Sequence, residues 1–149
     1  MLAAALLHEC GHLAAIRLAG APVLRVDVDV LSVCIALSGP LFNLLGALAG
    51  SLLLLYVRSA GVLLFVAANL FLALVNLIPV RGTDGGNALF YTLLPFFPPD
   101  VCTRTCTVVS GAARAVFALL FALSLYATGG NLSLAVLFLL LCMPRGGCA

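Results

Sequence analysis

The sequence predicts an all-α polytopic membrane protein with about four to five transmembrane helices and a short β segment after the first. Two observations predict it. Of 149 residues, 64% are hydrophobic and only 8% charged, with a mean hydropathy of +1.29 and no lysine. The few charges also leave long gaps, with nothing charged from Val30 to Val57, from Ser59 to Val80, or from Ala115 to Pro144. A bilayer core needs about 20 apolar residues per helix, so the first two gaps each hold one span.

Taken in order, the first helix is expected from Leu2 to Ala19, ending at Gly20-Ala21-Pro22, where glycine stops a helix and proline cannot continue it. From Val23 the pattern changes to period two: Val26, Val28 and Val30 alternate with Arg25, Asp27 and Asp29. That alternation predicts a short strand, or half of a hairpin, with one polar face over Val23 to Val30. The second helix spans Ser32 to Val57, with Pro40 permitting a kink near its start and Gly46 and Gly50 forming a small-residue face for close helix packing. The third covers Gly61 to Ile78, carries Asn69 and Asn76, and breaks at Pro79. Val80 to Gly86 then read as a turn, since Gly and Asp supply the backbone conformations that a turn requires.

A short helix is expected from Asn87 to Leu94, before Pro95, Pro98 and Pro99 impose a loop. The fourth long helix runs from Thr105 to Ala127, and Gly129-Gly130-Asn131 separates it from an apolar stretch, Leu132 to Met143, that is short for a full span. No repeat or low-complexity linker divides the chain, so residues 1–149 read as one domain, its motifs within residues 2–94.

The net charge of +2 comes from seven arginines scattered singly against five acids, and no basic cluster points to nucleic acid or a lipid-headgroup code. Six cysteines, at 10, 34, 102, 106, 142 and 148, lie mostly in apolar segments, where a thiol acts as a small hydrophobe. Cys102 and Cys106, without a second pair, are a weak metal or disulfide signal.

Against this background His8-Glu9-Cys10-Gly11-His12 stands out, with two imidazoles and a carboxylate in a segment of Leu and Ala. Residues four apart share one helix face, close enough for His8 and His12 to bind one zinc ion. Glu9 is the candidate general base, taking a proton from a water whose pKa zinc lowers to about 7. HExxH recurs by chance in unrelated helices. Here, however, these are the only two histidines, and burying them unpartnered would cost several kcal/mol on the order of the unpaired-polar penalty. Catalytic zinc normally takes a third protein ligand, for which Asp27, Asp29, Asp84 and Asp100 are the candidates. Solvent exposure explains Asp27 and Asp29, and helix capping explains Asp100, whereas Asp84 follows a helix break in a Gly-rich turn that returns an acid toward membrane depth.

Three motifs now stand in order: His8-Glu9-Cys10-Gly11-His12, Ser38-Gly39-Pro40-Leu41-Phe42-Asn43, and Asn76-Leu77-Ile78-Pro79 with Asp84-Gly85-Gly86. Across residues 8 to 86 the chain resembles the site-2 protease family of intramembrane zinc metalloproteases. That family's third motif has an Asn, a Pro three residues on, and an Asp eight residues after the Asn, followed by Gly, and all four match here. The resemblance implies one zinc ion per chain held by His8, His12 and Asp84, with Glu9 as base. It implies that Asn76 lines the catalytic pocket and donates a hydrogen bond to the developing oxyanion, and that Asn43 holds the substrate backbone or packs the core. It further implies that Val23 to Val30 correspond to a membrane-associated β-hairpin able to pair with an unwound substrate.

The expected activity is hydrolysis of a peptide bond in or near the transmembrane segment of a single-span membrane protein, within the lipid bilayer of a prokaryotic cell membrane and with no nucleic-acid partner. The alternative is an inactive relative, or a metal-binding or transport protein of the same fold. Glu9 discriminates them, since a transporter needs ligands but no base beside them. In departures from the family, the usual helix ahead of the histidine motif is missing, which predicts a minimal version or a truncated start. The hairpin segment is short, and no PDZ or CBS module is expected within these residues.

Overall fold

Five helices follow one another along residues 1–20 and 28–128, which the computed structural model describes: α1 (Leu2–Leu18), α2 (Val28–Leu54), α3 (Ala60–Leu77), α4 (Asp84–Leu93) and α5 (Pro99–Thr128). Three stretches are long and apolar enough to cross a membrane, Val30–Leu54, Ala60–Leu77 and Pro99–Ala127. At about 1.5 Å per residue the shortest reaches roughly 27 Å, close to the thickness of a hydrocarbon core. The expected four to five spans are therefore not reached among the described residues, and Leu132 to Met143 lies outside them.

The strand expectation needs correction. Val28–Val30 form the first turn of α2, no strand occurs among the described residues, and Val23 to Asp27 lie outside them. The physical reason is the apolar run from Leu31 onward: in such surroundings a helix satisfies its own backbone groups, while a strand needs a neighbour. The alternating valines are only a weak local preference against that. Helix α5 also begins earlier than expected, at Pro99 instead of Thr105. Proline suits the first helical position, where its missing N–H would find no partner anyway, and Asp100 favours the same turn through the helix dipole.

Helix α2 is the centre of the packing, with α1, α3 and α4 against it, whereas α5 packs on α4. The buried apolar positions are mostly small: Ala4, Ala36, Ala47, Ala68, Ala73 and Ala88, with Cys102, Cys106 and Val66. The large side chains point outward, with Leu64 70%, Leu74 64% and Leu119 61% exposed. Buried inside are instead Asn43, Asn69, Ser38, Ser110 and His8. Small residues between helices and leucines outside are what lipid-embedded helices require, because lipid solvates Leu and close backbones supply the attraction. At Gly46 an added Cβ would run into the Leu7 side chain and lie 3.1 Å from Asn69 Oδ1, and at Gly50 it would lie 2.7 Å from Val66 Cγ2. The small-residue face of α2 thus seats both α1 and α3.

Candidate metal centre

Two helices present the histidines and the acid. His8 and His12 lie one turn apart on α1, and Asp84 is the first residue of α4. His8 Nε2 is 3.0 Å and His12 Nε2 3.5 Å from Asp84 Oδ2, and the two Nε2 atoms are 3.2 Å apart. A tetrahedral zinc with ligands at about 2.0–2.1 Å separates neighbouring ligand atoms by roughly 3.3 Å, so this triangle has the size of one face of such a site. His8, His12 and Asp84 can together hold a metal ion. Asp84 Oδ2 is buried without a hydrogen-bond partner although two imidazole nitrogens lie within 3.5 Å.

The space between them is kept open by α2. An added Cβ at Gly39 would collide with His12 Nε2 and lie 2.7 Å from His8 Cε1, so any side chain there would fill the place where the ligands converge. Gly11, inside the histidine motif, has the mirror role: its added Cβ would lie 2.6 Å from the Ser38 carbonyl oxygen. Helices α1 and α2 therefore cross backbone to backbone at the centre.

Each imidazole is held from behind. His12 Nδ1 donates to the Ile35 carbonyl at 2.8 Å, and the Ser38 hydroxyl, whose own proton goes to the same carbonyl at 2.6 Å, lies 3.3 Å from Nδ1. A carbonyl can only accept, so neutral His12 carries its proton on Nδ1 and turns the Nε2 lone pair into the site. Behind His8 stands Asn43, fully buried, its Nδ2 3.2 Å from His8 Nδ1.

Asp84 is delivered by a tightly tied turn. Gly82 has φ 91°, in the left-handed region that favours glycine. Thr83 caps α4, its hydroxyl accepting from Gly86 N at 3.2 Å while its proton is shared between the carbonyls of Ile78 at 2.6 Å and Val80 at 2.8 Å. Added Cβ atoms at Gly85 and Gly86 would strike the carbonyls of Leu77 and Val80. Only glycines let the start of α4 lie on the end of α3. From α5, buried Ser110 accepts from Arg81 N at 2.9 Å and donates to the Pro79 carbonyl at 3.3 Å, fixing the same turn. Burial pushes the Asp84 carboxyl above its ordinary range, and the imidazoles of His12 and then His8 pull it partway back.

The structure thus brings together His8, His12 and Asp84 of the expected residues. Glu9 is exposed, near enough for its charge to act on Asp84, and makes no hydrogen bond among the described residues. Asn76 is half-buried, and its amide donates to the Leu72 carbonyl at 3.1 Å, one turn back in α3, and not into the site. Asn43, expected to hold the substrate backbone or to pack the core, is fully buried and lies against His8 from the neighbouring helix. Of the other acids, Asp100 is exposed at the start of α5 and Asp27 lies outside the described residues. The supporting roles of Ile35, Ser38 and Ser110 were not foreseen. Ser38 had a signal, its place beside Gly39 and Pro40; Ser110, a serine in an apolar helix, had none. Comparison of the chain with family models, with curated proteins and with solved structures finds no match.

Proposed function

We propose that this protein is an intramembrane zinc endopeptidase that cuts a single-span membrane protein in or near its transmembrane segment. The observation that carries the reading is the convergence of two imidazole nitrogens of α1 and one carboxylate oxygen of α4, with Glu9 next to His8, packed against α2, a helix able to cross a membrane. The residues fit zinc: the donor set is two nitrogens and one oxygen, the spacing matches a tetrahedral face, and Gly39 keeps the convergence point open. Zinc bound there would polarise the scissile carbonyl and lower the pKa of a water to about 7.

The chain's own groups supply the rest. Glu9 takes the proton of the attacking water on its carboxylate and returns it to the leaving amine, a transfer typically worth roughly 10²–10⁴ in rate. His12, fixed by Ile35 and Ser38, keeps its lone pair aimed inward throughout. Asn76 would have to leave Leu72 to reach an oxyanion, and such a donor is worth most in a site from which water is excluded. A second reading, a non-catalytic metal-binding or transport protein, is favoured by that bond of Asn76 to its own helix and by the absence of a hydrogen-bonded partner for Glu9 among the described residues.

The test is co-expression with a library of single-span membrane proteins, comparing wild type with Glu9→Gln. Cleavage by wild type and its loss, by roughly 10²-fold or more, in a variant that keeps one zinc per chain is the expected result. Equal cleavage by both removes Glu9 from the role of base. Cleavage by neither, with zinc retained, supports the non-catalytic reading.

A further inference from the structure

The hydrogen bonds behind the two histidines form one chain whose direction is set at its far end. His12 Nδ1 must donate to the Ile35 carbonyl, so His12 Nε2 is a lone pair, and it faces His8 Nε2 at 3.2 Å. With Asn43 Nδ2 donating to His8 Nδ1 at 3.2 Å, neutral His8 carries its proton on Nε2, which faces Asp84 Oδ2 at 3.0 Å and the His12 lone pair at 3.2 Å. Every bond in that chain is satisfied without a metal. It has a price at one atom: Asn43 Oδ1 is fully buried with no partner among the described residues. An unpaired amide oxygen in such a place typically costs about 1–3 kcal/mol.

A metal ion bound through Nε2 of both histidines cannot coexist with that proton. The His8 proton must then sit on Nδ1, where it needs an acceptor, and Asn43 Nδ2 is a donor. The oxygen and nitrogen of a carboxamide are nearly equal in size, so a half-turn of the Asn43 side-chain amide puts Oδ1 where Nδ2 stood. We infer that Asn43 is the positioning residue for His8, and that its amide reverses on metal binding so that Oδ1 accepts from His8 Nδ1–H. In the metal-bound arrangement Oδ1 gains a partner while Nδ2 takes the position that Oδ1 left, and both ligand imidazoles have their outward N–H on an oxygen, Asn43 Oδ1 for His8 and the Ile35 carbonyl for His12. Such outer acceptors fix the tautomer and orientation of a metal-binding histidine, and their loss typically weakens metal binding roughly 10–100-fold. The inference rests on the metal-site part of the proposed function and is independent of proteolysis.

The test uses the full chain in detergent, with zinc affinity measured by competition against a chromophoric chelator. Asn43→Ala should bind zinc about 10–100-fold more weakly than wild type. Asn43→Asp, which can only accept in its ionised form, should restore affinity to within a few-fold of wild type or exceed it. Asn69→Ala removes another fully buried amide, one hydrogen-bonded to Phe65 within its own helix, and should leave zinc affinity nearly unchanged. In wild-type protein carrying ¹⁵N-labelled histidine, zinc should move the His8 proton to Nδ1, visible as a proton-bearing Nδ1 resonance. Wild-type affinity in Asn43→Ala, or Asn43→Asp as weak as Asn43→Ala, would overturn the inference while leaving the metal site standing. If neither Asn43 variant folds, the wild-type spectrum decides, and an unprotonated His8 Nδ1 in the zinc-loaded protein refutes it. Wild type that binds no zinc refutes the metal reading and this inference together.

Discussion

His8 and His12 are the same residue type on the same helix, one turn apart and 3.2 Å from one another at Nε2, yet they are held in different ways. Behind His12 stand a main-chain carbonyl and a hydroxyl already committed to that carbonyl, so its tautomer is set by groups that cannot change role. Behind His8 stands a carboxamide, which offers a donor or an acceptor in the same space. One half of the centre is therefore built in a single state by the backbone of α2, while the other half has a choice resolved by what is bound. A side chain can be replaced and a carbonyl cannot, so the His8 side is also the half more open to mutation.

The largest expected effect would break the comparison at its root. His8→Ala and His12→Ala should each abolish stoichiometric zinc, since two remaining ligands do not complete the site, and metal analysis of purified protein checks this. If one of the two kept a full equivalent, the histidines would not share an ion and the comparison of their surroundings would lose its meaning. Next comes Gly39→Ala, which places a methyl group 2.7 Å from His8 Cε1 and 2.8 Å from His12 Cε1. Overpacking of this kind typically costs about 1–3 kcal/mol, so zinc should bind roughly 10–10²-fold more weakly in a protein that still inserts and folds. Unchanged affinity would mean that α2 does not close over the ligands.

The smallest effect sharpens the contrast most. Ser38→Ala removes only the hydroxyl beside His12 and leaves the Ile35 carbonyl to accept from Nδ1, so zinc affinity should fall no more than a few-fold, on the scale of one hydrogen bond worth about 1 kcal/mol. A loss as large as that expected for Asn43→Ala would show that the hydroxyl, and not the main chain, governs His12. Titration of each variant with zinc against the same chelator puts these effects on one scale.

The legible parts of this protein were those in which spacing alone implies geometry. The i, i+4 spacing of His8 and His12 on a helix brings two rings to one face wherever that helix lies, and long uncharged runs imply helices because a chain in lipid must satisfy its own backbone. Pro79 and the Gly-rich run after it announce a break, and Asp84 lies just beyond it. The alternating valines misled for a related reason: period two over a few residues is a local pattern, and the apolar run that begins at Leu31 extends the helix back through Val28–Val30.

What the sequence by itself determined, then, was an apolar helical chain with a two-histidine motif and a carboxylate ready to join it, because these come from solvation and from helix periodicity within single segments. Only the tertiary structure decided which atoms stand behind the two histidines. Ser38 Oγ and the Ile35 carbonyl reach His12 from more than twenty residues away, Asn43 reaches His8 from thirty-five, and Ser110 holds the Asp84 turn from α5. Those pairings depend on how deeply α1, α2 and α5 seat against their neighbours. Between α1 and α2 that depth is set by Gly11, Gly39 and Gly46, whose significance lies in the side chain they lack, so it can be read only once both helices are in place.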